Sequence, residues 1–513
     1  MNPHHDALFI GGEWVAPRST TRITVIGSST EEVLGSVPDG SEQDMDAAVA
    51  AARAAFDDPT GWSSWEPGRR ADALYRLAEA LEKRAAEITR AVSAQNGMTI
   101  TLAQGIEGGL PGVLLRYYAD LVRDGSGEEV RQAMTGGLTR IRKEPLGVVA
   151  AIVPWNAPQL LSATKYAPGL AAGCTFVLKP SPETVLDAVL FAEAVDEAGL
   201  PPGVVNVVPA GRQVGAYLVA HPGVDKVAFT GSTAAGRQIA AACGALLRPV
   251  TLEFGGKSAA IVLDDADLGV AIGEQFVNAT LLANGQACFA STRVLAPRSR
   301  YDEVVEAVST VVGGLTVGDP LDPNTQVGPM ASARQRSRVE GYIAKGRSDG
   351  ARLIVGGSRP AGLDRGFYVE PTVFADVDNA DMIAREEIFG PVLSIVAYDD
   401  VDDAVRIAND SEYGPGGSVW TDDEERGLEV ARRIRTGTIG INHYTVDPAS
   451  PFGGVKASGM GREFGPEALL DYQQLKSIYL WSSREPRWRR PAPEPRVTPT
   501  CRSGRPRGPA GVR

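Results

Sequence analysis

The sequence predicts an α/β protein: a doubly wound domain, a second α/β domain and a small β arm. Three observations predict it. From Gly147 to Cys243, short runs of continuous apolar residues alternate strictly with helical segments, as in a parallel sheet covered on both faces. A second alternation of the same kind runs from Ala259 to Asn442. Between Val130 and Lys143 a glycine-centred hairpin stands apart from both.

In chain order, Ile10–Val15 reads as one short strand entered by a turn, and residues 16–40 as irregular strands and loops. Asp44–Phe56 is helical by its alanine-rich apolar face, with Ser41 as its cap. Arg69–Gln95 sets Leu74, Leu77, Ala78, Leu81, Ile88 and Val92 at helical spacing, giving a long amphipathic helix. Gly108–Val122 is a further helix. After a break at Asp124–Glu128 come two strands around Thr135-Gly136-Gly137, to be paired with a late strand at Leu475–Trp481. The first alternation reads as strands at Val148–Val153, Thr175–Leu178, Val204–Val208 and Val224–Phe229. Helices at Gln159–Ala172, Thr184–Ala198, Gln213–Ala220 and Ala234–Cys243 follow them in turn. The second has strands at Ala259–Leu263, Leu353–Val355, Val392–Ala397, Ser418–Trp420 and Thr438–Asn442, with helices near 267–283, 301–312, 332–348, 402–409 and 423–435. Doubly wound sheets bind ligands at the carboxyl ends of their strands.

A length of 513 residues suits two to four domains, and a net charge of −12 argues against nucleic acid as a partner of the protein's body. Residues 484–513 are rich in Pro, Arg and Gly and nearly devoid of aliphatics, so they read as a disordered basic tail. Cys174, Cys243, Cys288 and Cys501 form no CxxC pair and no metal-like spacing with the four histidines, which excludes a disulfide framework and predicts no metal. With no signal-peptide pattern and no apolar run of membrane-spanning length, the expectation is a cytoplasmic protein without a membrane partner.

Cys288 lies in Asn284-Gly285-Gln286-Ala287-Cys288-Phe289, among small residues that let a substrate reach sulfur; a buried structural thiol is the competing reading. Glu253, in Leu252-Glu253-Phe254-Gly255-Gly256-Lys257, sits in an apolar stretch where desolvation raises a carboxylate toward general-base duty; an ion-paired loop Glu is the alternative. Asn156, in Pro154-Trp155-Asn156, follows an apolar strand and either donates to an oxyanion or caps the next helix. Lys179 ends another strand, where it reaches ribose or phosphate or is simply solvated. Phe229-Thr230-Gly231-Ser232-Thr233-Ala234-Ala235-Gly236 joins strand to helix with GxxxxG spacing, a phosphate cradle or an ordinary turn, and no Lys follows to make a P-loop. Glu387 and Phe389 are two apart in extended chain and point the same way, fit for a ribose and a flat ring. Pro451-Phe452-Gly453-Gly454 is a glycine-rich loop.

Taken in their order along one chain, these motifs resemble the aldehyde dehydrogenase superfamily, over roughly Phe9 to Trp481. The resemblance implies a Rossmann-like cofactor domain (1–122 and 146–254), a catalytic domain (255–455) and an oligomerisation arm (123–145 and 468–481) that extends a neighbour's sheet in a homodimer or homotetramer. It implies Cys288 as nucleophile toward an aldehyde, Asn156 with the Cys288 N–H as oxyanion donors, and Glu253 as base for thioester hydrolysis. It implies dinucleotide contacts from Trp155, Lys179, Gly231, Ser232, Gly236, Glu387 and Phe389. Glu253 and Trp155 favour hydrolysis over transfer of the acyl group to CoA, and their presence with Cys288 argues against a catalytically silent binding protein. Two departures stand out. Pro182 occupies the place where NAD-binding relatives carry a ribose-binding Glu, with Glu183 next, so the expected cofactor is NAD with NADP not excluded. Thr164 replaces a bulky aromatic of the substrate tunnel. With Leu160, Leu161, Phe289 and Phe452 it implies a roomy apolar tunnel for a medium or large hydrophobic aldehyde, aliphatic or aromatic.

Overall fold

The computed structural model describes residues 4–123, 125, 127–134 and 136–481. The tail reading at 484–513 therefore lies outside the described residues. The chain divides into two compact units, Met1–Ser126 with Glu144–Gln474, and Gly127–Lys143 with the described chain from Leu475.

The larger unit holds two sheets of mostly parallel strands. The first has eight strands in the order Gly459–Met460, Val250–Phe254, Lys226–Gly231, Val148–Ile152, Thr175–Lys179, Val205–Val207, Leu8–Ile10, Glu13–Val15. The five consecutive strands from Val250–Phe254 to Val205–Val207 run parallel. Val148–Ile152 and Thr175–Lys179 are buried along their whole length, which is why they carry no polar alternation. From Val148–Ile152 the chain builds outward to Val205–Val207, then crosses back to add Lys226–Gly231 and Val250–Phe254 on the other side. That reversal makes a switch point between Val148–Ile152 and Lys226–Gly231, where diverging loops leave a crevice.

The helices start and stop where local chemistry says. Ser41 and Asp44 close a reciprocal capping box on Glu42–Asp57, and Gly97 ends Pro67–Asn96 in the left-handed region at φ 81. The expected strand Ile10–Val15 is instead two, Leu8–Ile10 and Glu13–Val15, paired antiparallel because Gly11 and Gly12 both take positive φ and reverse the chain. The helix expected from Gly108 begins at Leu110, after a π-helical turn at Gln104–Gly109. Helix 267–283 is two helices, Leu268–Ala271 and Glu274–Gly285.

The second sheet has seven strands in the order Arg352–Val355, Thr372–Ala375, Val392–Tyr398, Arg293–Pro297, Ala259–Val262, Gly417–Trp420, Gly440–Ile441. Two of these are absent from the sequence expectation. Arg293–Pro297 opens on a cation and closes on a proline, yet Arg293 is buried, its guanidinium donating to the carbonyls of Lys257, Ile407 and Ala408 and to Asn379. Thr372–Ala375 is short and starts directly after Pro371.

The smaller unit belongs to a three-stranded sheet ordered Gln473–Leu480, Leu138–Pro145, Glu128–Gln132. The hairpin is antiparallel, registered from Glu128 opposite Arg142 to Gln132 opposite Leu138. Val130, Leu475 and Tyr479 are exposed on it.

Among the described residues, no helix is long and apolar enough to cross a membrane, and no three His, Cys, Asp or Glu side chains gather as metal ligands.

Candidate active site

A cavity of about 470 Å³ opens at the switch point. Trp155, Asn156 and Leu161 line it from the loop and helix after Val148–Ile152, and Thr230, Gly231 and Ser232 from the end of Lys226–Gly231. Glu253 reaches it from the adjacent strand, Val250–Phe254, which the sequence reading left as an unassigned apolar stretch. Cys288, Glu387 and Phe389 also line it, together with Arg334, Gln335 and Arg338.

The loop that presents Cys288 is over-determined. Ala283, Asn284 and Gly285 all take positive φ, the first two at a strain cost of about 1–3 kcal/mol each. Asn284 holds that shape: its buried side chain donates to the carbonyls of Gly97 and Pro329 and accepts from the Gly328 N–H at 2.7 Å. Gly285 must be glycine, since a Cβ there would lie 2.3 Å from the Gly390 carbonyl oxygen. Gln286 accepts the Ala331 N–H through Oε1, and its own carbonyl takes the Asn156 Nδ2 donor at 3.0 Å, tying Asn156 to the loop that carries Cys288. The Cys288 thiol is half-buried, and burial, then the charges of Glu253, Glu387 and Glu463, push its pKa up to about 12.

Glu253 is 4 % exposed. Burial first, then Glu463, raises its pKa well above the usual carboxylate value; the Gly454 N–H, Lys165 and Arg462 oppose the shift. Oε2 accepts the Gly454 N–H at 3.2 Å, while buried Oε1 has no hydrogen-bond partner among the described residues. The glycine pair of Pro451–Gly454 has its reason here, because a Cβ on Gly453 would stand 2.7 Å from Glu253 Oε1. Beside Glu253 lie two residues the sequence reading passes over. Lys165 is fully buried and donates to Glu463 Oε1 at 2.7 Å, Thr230 Oγ1 at 2.6 Å and the Leu161 carbonyl at 3.1 Å. A lysine in a helix buried on nearly every face was its signal; Glu463, in an irregular loop, has none.

The residues expected to hold a dinucleotide divide. Ser232 caps the helix Thr233–Ala245, accepting the Ala235 N–H, so a helix N-terminus faces the cavity as an anion site. Trp155 and Phe389 meet edge to face with centroids 5.3 Å apart. Gly255 yields its side-chain space to Glu387, whose Oε1 would lie 1.5 Å from a Cβ there; burial raises the Glu387 carboxyl to about 7. Gly236 does not line the cavity. A Cβ there would lie 1.8 Å from the Phe254 ring, so this glycine serves helix-to-strand packing. Lys179 is buried outside the cavity lining, donates to the Pro180 carbonyl, and is lowered to about 8 by burial, with Glu183 and Asp39 opposing. Glu183 accepts the Ser181 hydroxyl and pairs with Arg334. A helix N-terminus, a buried carboxylate beside a side-chain-free backbone and a pair of flat rings are the donor set a nicotinamide dinucleotide needs, so the residues fit that group.

Of the tunnel candidates, Leu161 lines the cavity. Leu160 and Phe289 pack half-buried on the same core as Cys288, Tyr117 and Val446, the last two unanticipated. Phe289 meets Tyr444 and Phe452 edge to face at 4.9 and 6.0 Å. Phe452 lines a second cavity of about 770 Å³ with the 438–451 loop. Thr164 is buried, its hydroxyl donating to the Leu161 carbonyl.

Residues 14–478 match the model of the aldehyde dehydrogenase family. The chain is 56 % identical to geranial dehydrogenase of Castellaniella defragrans, over 94 % of this chain and all of that one. A solved aldehyde dehydrogenase of Mycobacterium tuberculosis complexed with NAD+ is 48 % identical, with a TM-score of 0.92 over 94 % of this chain and 100 % of that one. A Pseudomonas syringae aldehyde dehydrogenase solved with NAD+ and octanal is 42 % identical, with a TM-score of 0.90 over 94 % and 100 %.

Proposed function

This chain belongs to the aldehyde dehydrogenase family and oxidises an aldehyde to the carboxylic acid, and on that premise we propose that Cys288, Asn156 and Glu253 carry the reaction with NAD as cofactor. The observation that supports it most is the meeting of all three side chains on one cavity beside the Gly231–Ser232 turn.

When bound, NAD supplies the hydride acceptor that takes a Cys288 thiohemiacetal to the thioester. The protein's part begins with the Cys288 sulfur, which gives its proton to solvent water and forms a bond to the carbonyl carbon. The carbonyl oxygen becomes an oxyanion and takes hydrogen bonds from Asn156 Nδ2 and the Cys288 N–H. In hydrolysis, Glu253 Oε1, free of protein donors among the described residues, takes a proton from water as the water oxygen attacks the thioester carbon and the C–S bond breaks. Ser232, the helix behind it and Trp155 would hold the pyrophosphate, and Glu387 with Phe389 would clamp the nicotinamide ribose.

The substrate is a medium or large hydrophobic aldehyde. Leu161 on the cavity wall, apolar Leu160, Phe289, Tyr117 and Val446 on the same core as Cys288, and the geranial and octanal of the relatives support this. NAD is preferred over NADP, because Glu183 and Asp39 face Lys179 and their charges oppose a 2′-phosphate. The arm, compact over Gly127–Lys143 with the described chain from Leu475, pairs through its exposed apolar strands with another copy in a homodimer or homotetramer. An aldehyde-by-cofactor activity matrix with Cys288→Ala as control tests the reading. Octanal with NAD should be among the best combinations, and a preference for succinic semialdehyde or betaine aldehyde would overturn the substrate class.

A further inference from the structure

The helix Pro158–Ala172 carries Leu161 and Lys165, and its first residue follows Asn156 by two, so where this helix begins decides where the oxyanion donor sits. Its own sequence cannot cap it. The residue at the cap is Ala157, whose methyl offers no acceptor, and Pro158 at the first turn fixes φ but donates nothing. The acceptor comes from outside. Glu107, in the π-helical turn Gln104–Gly109, is completely buried, and its Oε2 accepts the Gln159 N–H at 2.8 Å, with the Leu160 N–H also directed at the carboxyl. π-turns gather at functional sites because they re-aim one side chain. Here Gly108 makes the turn possible, since a Cβ there would lie 2.5 Å from Thr89 Oγ1 on the long helix Pro67–Asn96.

A second tether lies at the other end of the same segment. Asn96, the last residue of that long helix, donates to the carbonyls of Trp155 and Asn156, each at 3.0 Å. Between them, Gln159 is anchored sideways, its Nε2 donating to the Asp187 carboxylate at 2.8 Å and carbonyl at 3.0 Å. Residues 155–160 are therefore slung between Asn96 and Glu107. Asp187 and Tyr166 are the titratable groups that face Glu107, and burial above all raises its carboxyl to about 8. Glutamine keeps the shape and the acceptor oxygen that takes the Gln159 N–H.

We propose that Glu107 is a positioning residue for the reaction: by capping Pro158–Ala172 from a distant turn, it fixes the placement of Asn156 and Leu161 against Cys288. The proposal rests on the functional reading above. It is tested by pre-steady-state measurement of the NADH burst with octanal and saturating NAD, which counts competent sites by burst amplitude and reads acylation by burst rate. Glu107→Ala should lower the burst rate per competent site at least tenfold, with the NAD dissociation constant changed less than twofold. Glu107→Gln should keep a third or more of the wild-type rate, because its amide oxygen still accepts the Gln159 N–H. Glu107→Asp, one methylene short, should fall with Ala, and the Asp–Gln contrast decides the matter if Glu107→Ala does not fold. Loss of amplitude at unchanged rate per site, an equal loss in Gln and Asp, or no loss in Ala would each overturn it. A wild-type protein that forms no NADH from any aldehyde would sink the functional reading itself, whereas an active wild type with indifferent variants sinks only the role of Glu107.

Discussion

The proposed nucleophile, Cys288, sits where burial and nearby carboxylates push its thiol pKa up to about 12, and this has a measurable consequence. At pH 8 a thiol of pKa about 12 is ionised to about one part in 10⁴, against about a quarter for an unperturbed cysteine near 8.5. The higher basicity makes each thiolate about 25- to 55-fold more reactive, taking a Brønsted slope of about 0.4–0.5 over about 3.5 units. The two effects leave Cys288 about 40- to 100-fold slower than a free thiol toward a small neutral electrophile. The assay is iodoacetamide labelling of the free enzyme across pH 6–10, read by peptide mass mapping so that Cys174, Cys243 and Cys501 are scored separately. The rate on Cys288 should still be climbing at pH 10. Glu253→Gln, which removes the first charge acting on sulfur after burial, should speed labelling at pH 8. A plateau below about pH 8.5, or no effect of Glu253→Gln, would refute this account of the thiol.

Glu253→Gln should also give one burst of NADH per site and then stall, with steady turnover down about 10²- to 10⁴-fold. Because the base works only as carboxylate and its pKa is raised, wild-type steady turnover should fall with decreasing pH well above the ordinary carboxylate range; a flat profile down to pH 5 would contradict it. Asn156→Ala should slow the burst about 10²- to 10³-fold at unchanged cofactor affinity, and a loss under tenfold would remove it from the oxyanion site. Lys165→Met leaves Glu463 buried without its counter-charge and should cost about 3–5 kcal/mol of stability, seen as earlier thermal inactivation. Heat resistance equal to wild type would mean that the pair does not contribute that stability.

What was legible in the sequence is what lies at strand ends. Asn156, Gly231, Ser232 and Glu253 each sit at or just beyond the carboxyl end of a parallel strand, where loop chemistry interrupts an apolar run. The alternation that makes those runs also reveals the doubly wound sheet. Less legible is anything whose partner is remote. Lys165 and Glu463 lie 298 positions apart, and neither motif nor spacing joins them. Glu107 stands in a glycine-rich turn that looks like a plain helix start, and its object, the Gln159 N–H, is 52 positions on. Gly236 shows the opposite failure. Its spacing from Gly231 matches a phosphate cradle, but a glycine demanded by an aromatic ring gives the same letter in the same place. Arg293 hides a strand because a buried guanidinium satisfied by three carbonyls reads, in sequence, as a surface charge.

The electrostatics of the cavity also order the reaction. Burial first, and then three carboxylates, push the Cys288 thiol up, and two of those carboxylates are the proposed base and ribose ligand. A unit positive charge about 5 Å from sulfur, at an effective dielectric constant of about 20, is worth about 3 kcal/mol, or a little over two pKa units. The nicotinamide ring of NAD+ carries such a charge and NADH does not. Saturating NAD+ should therefore raise Cys288 labelling at pH 8 by one to two orders of magnitude, while NADH, which fills the same groove without the ring's charge, should leave it unchanged or shield it. That difference would make cofactor-before-aldehyde binding a consequence of charge. Equal labelling in NAD+ and NADH would mean that the ring's charge does not reach the sulfur, and the ordering would have to come from sterics alone.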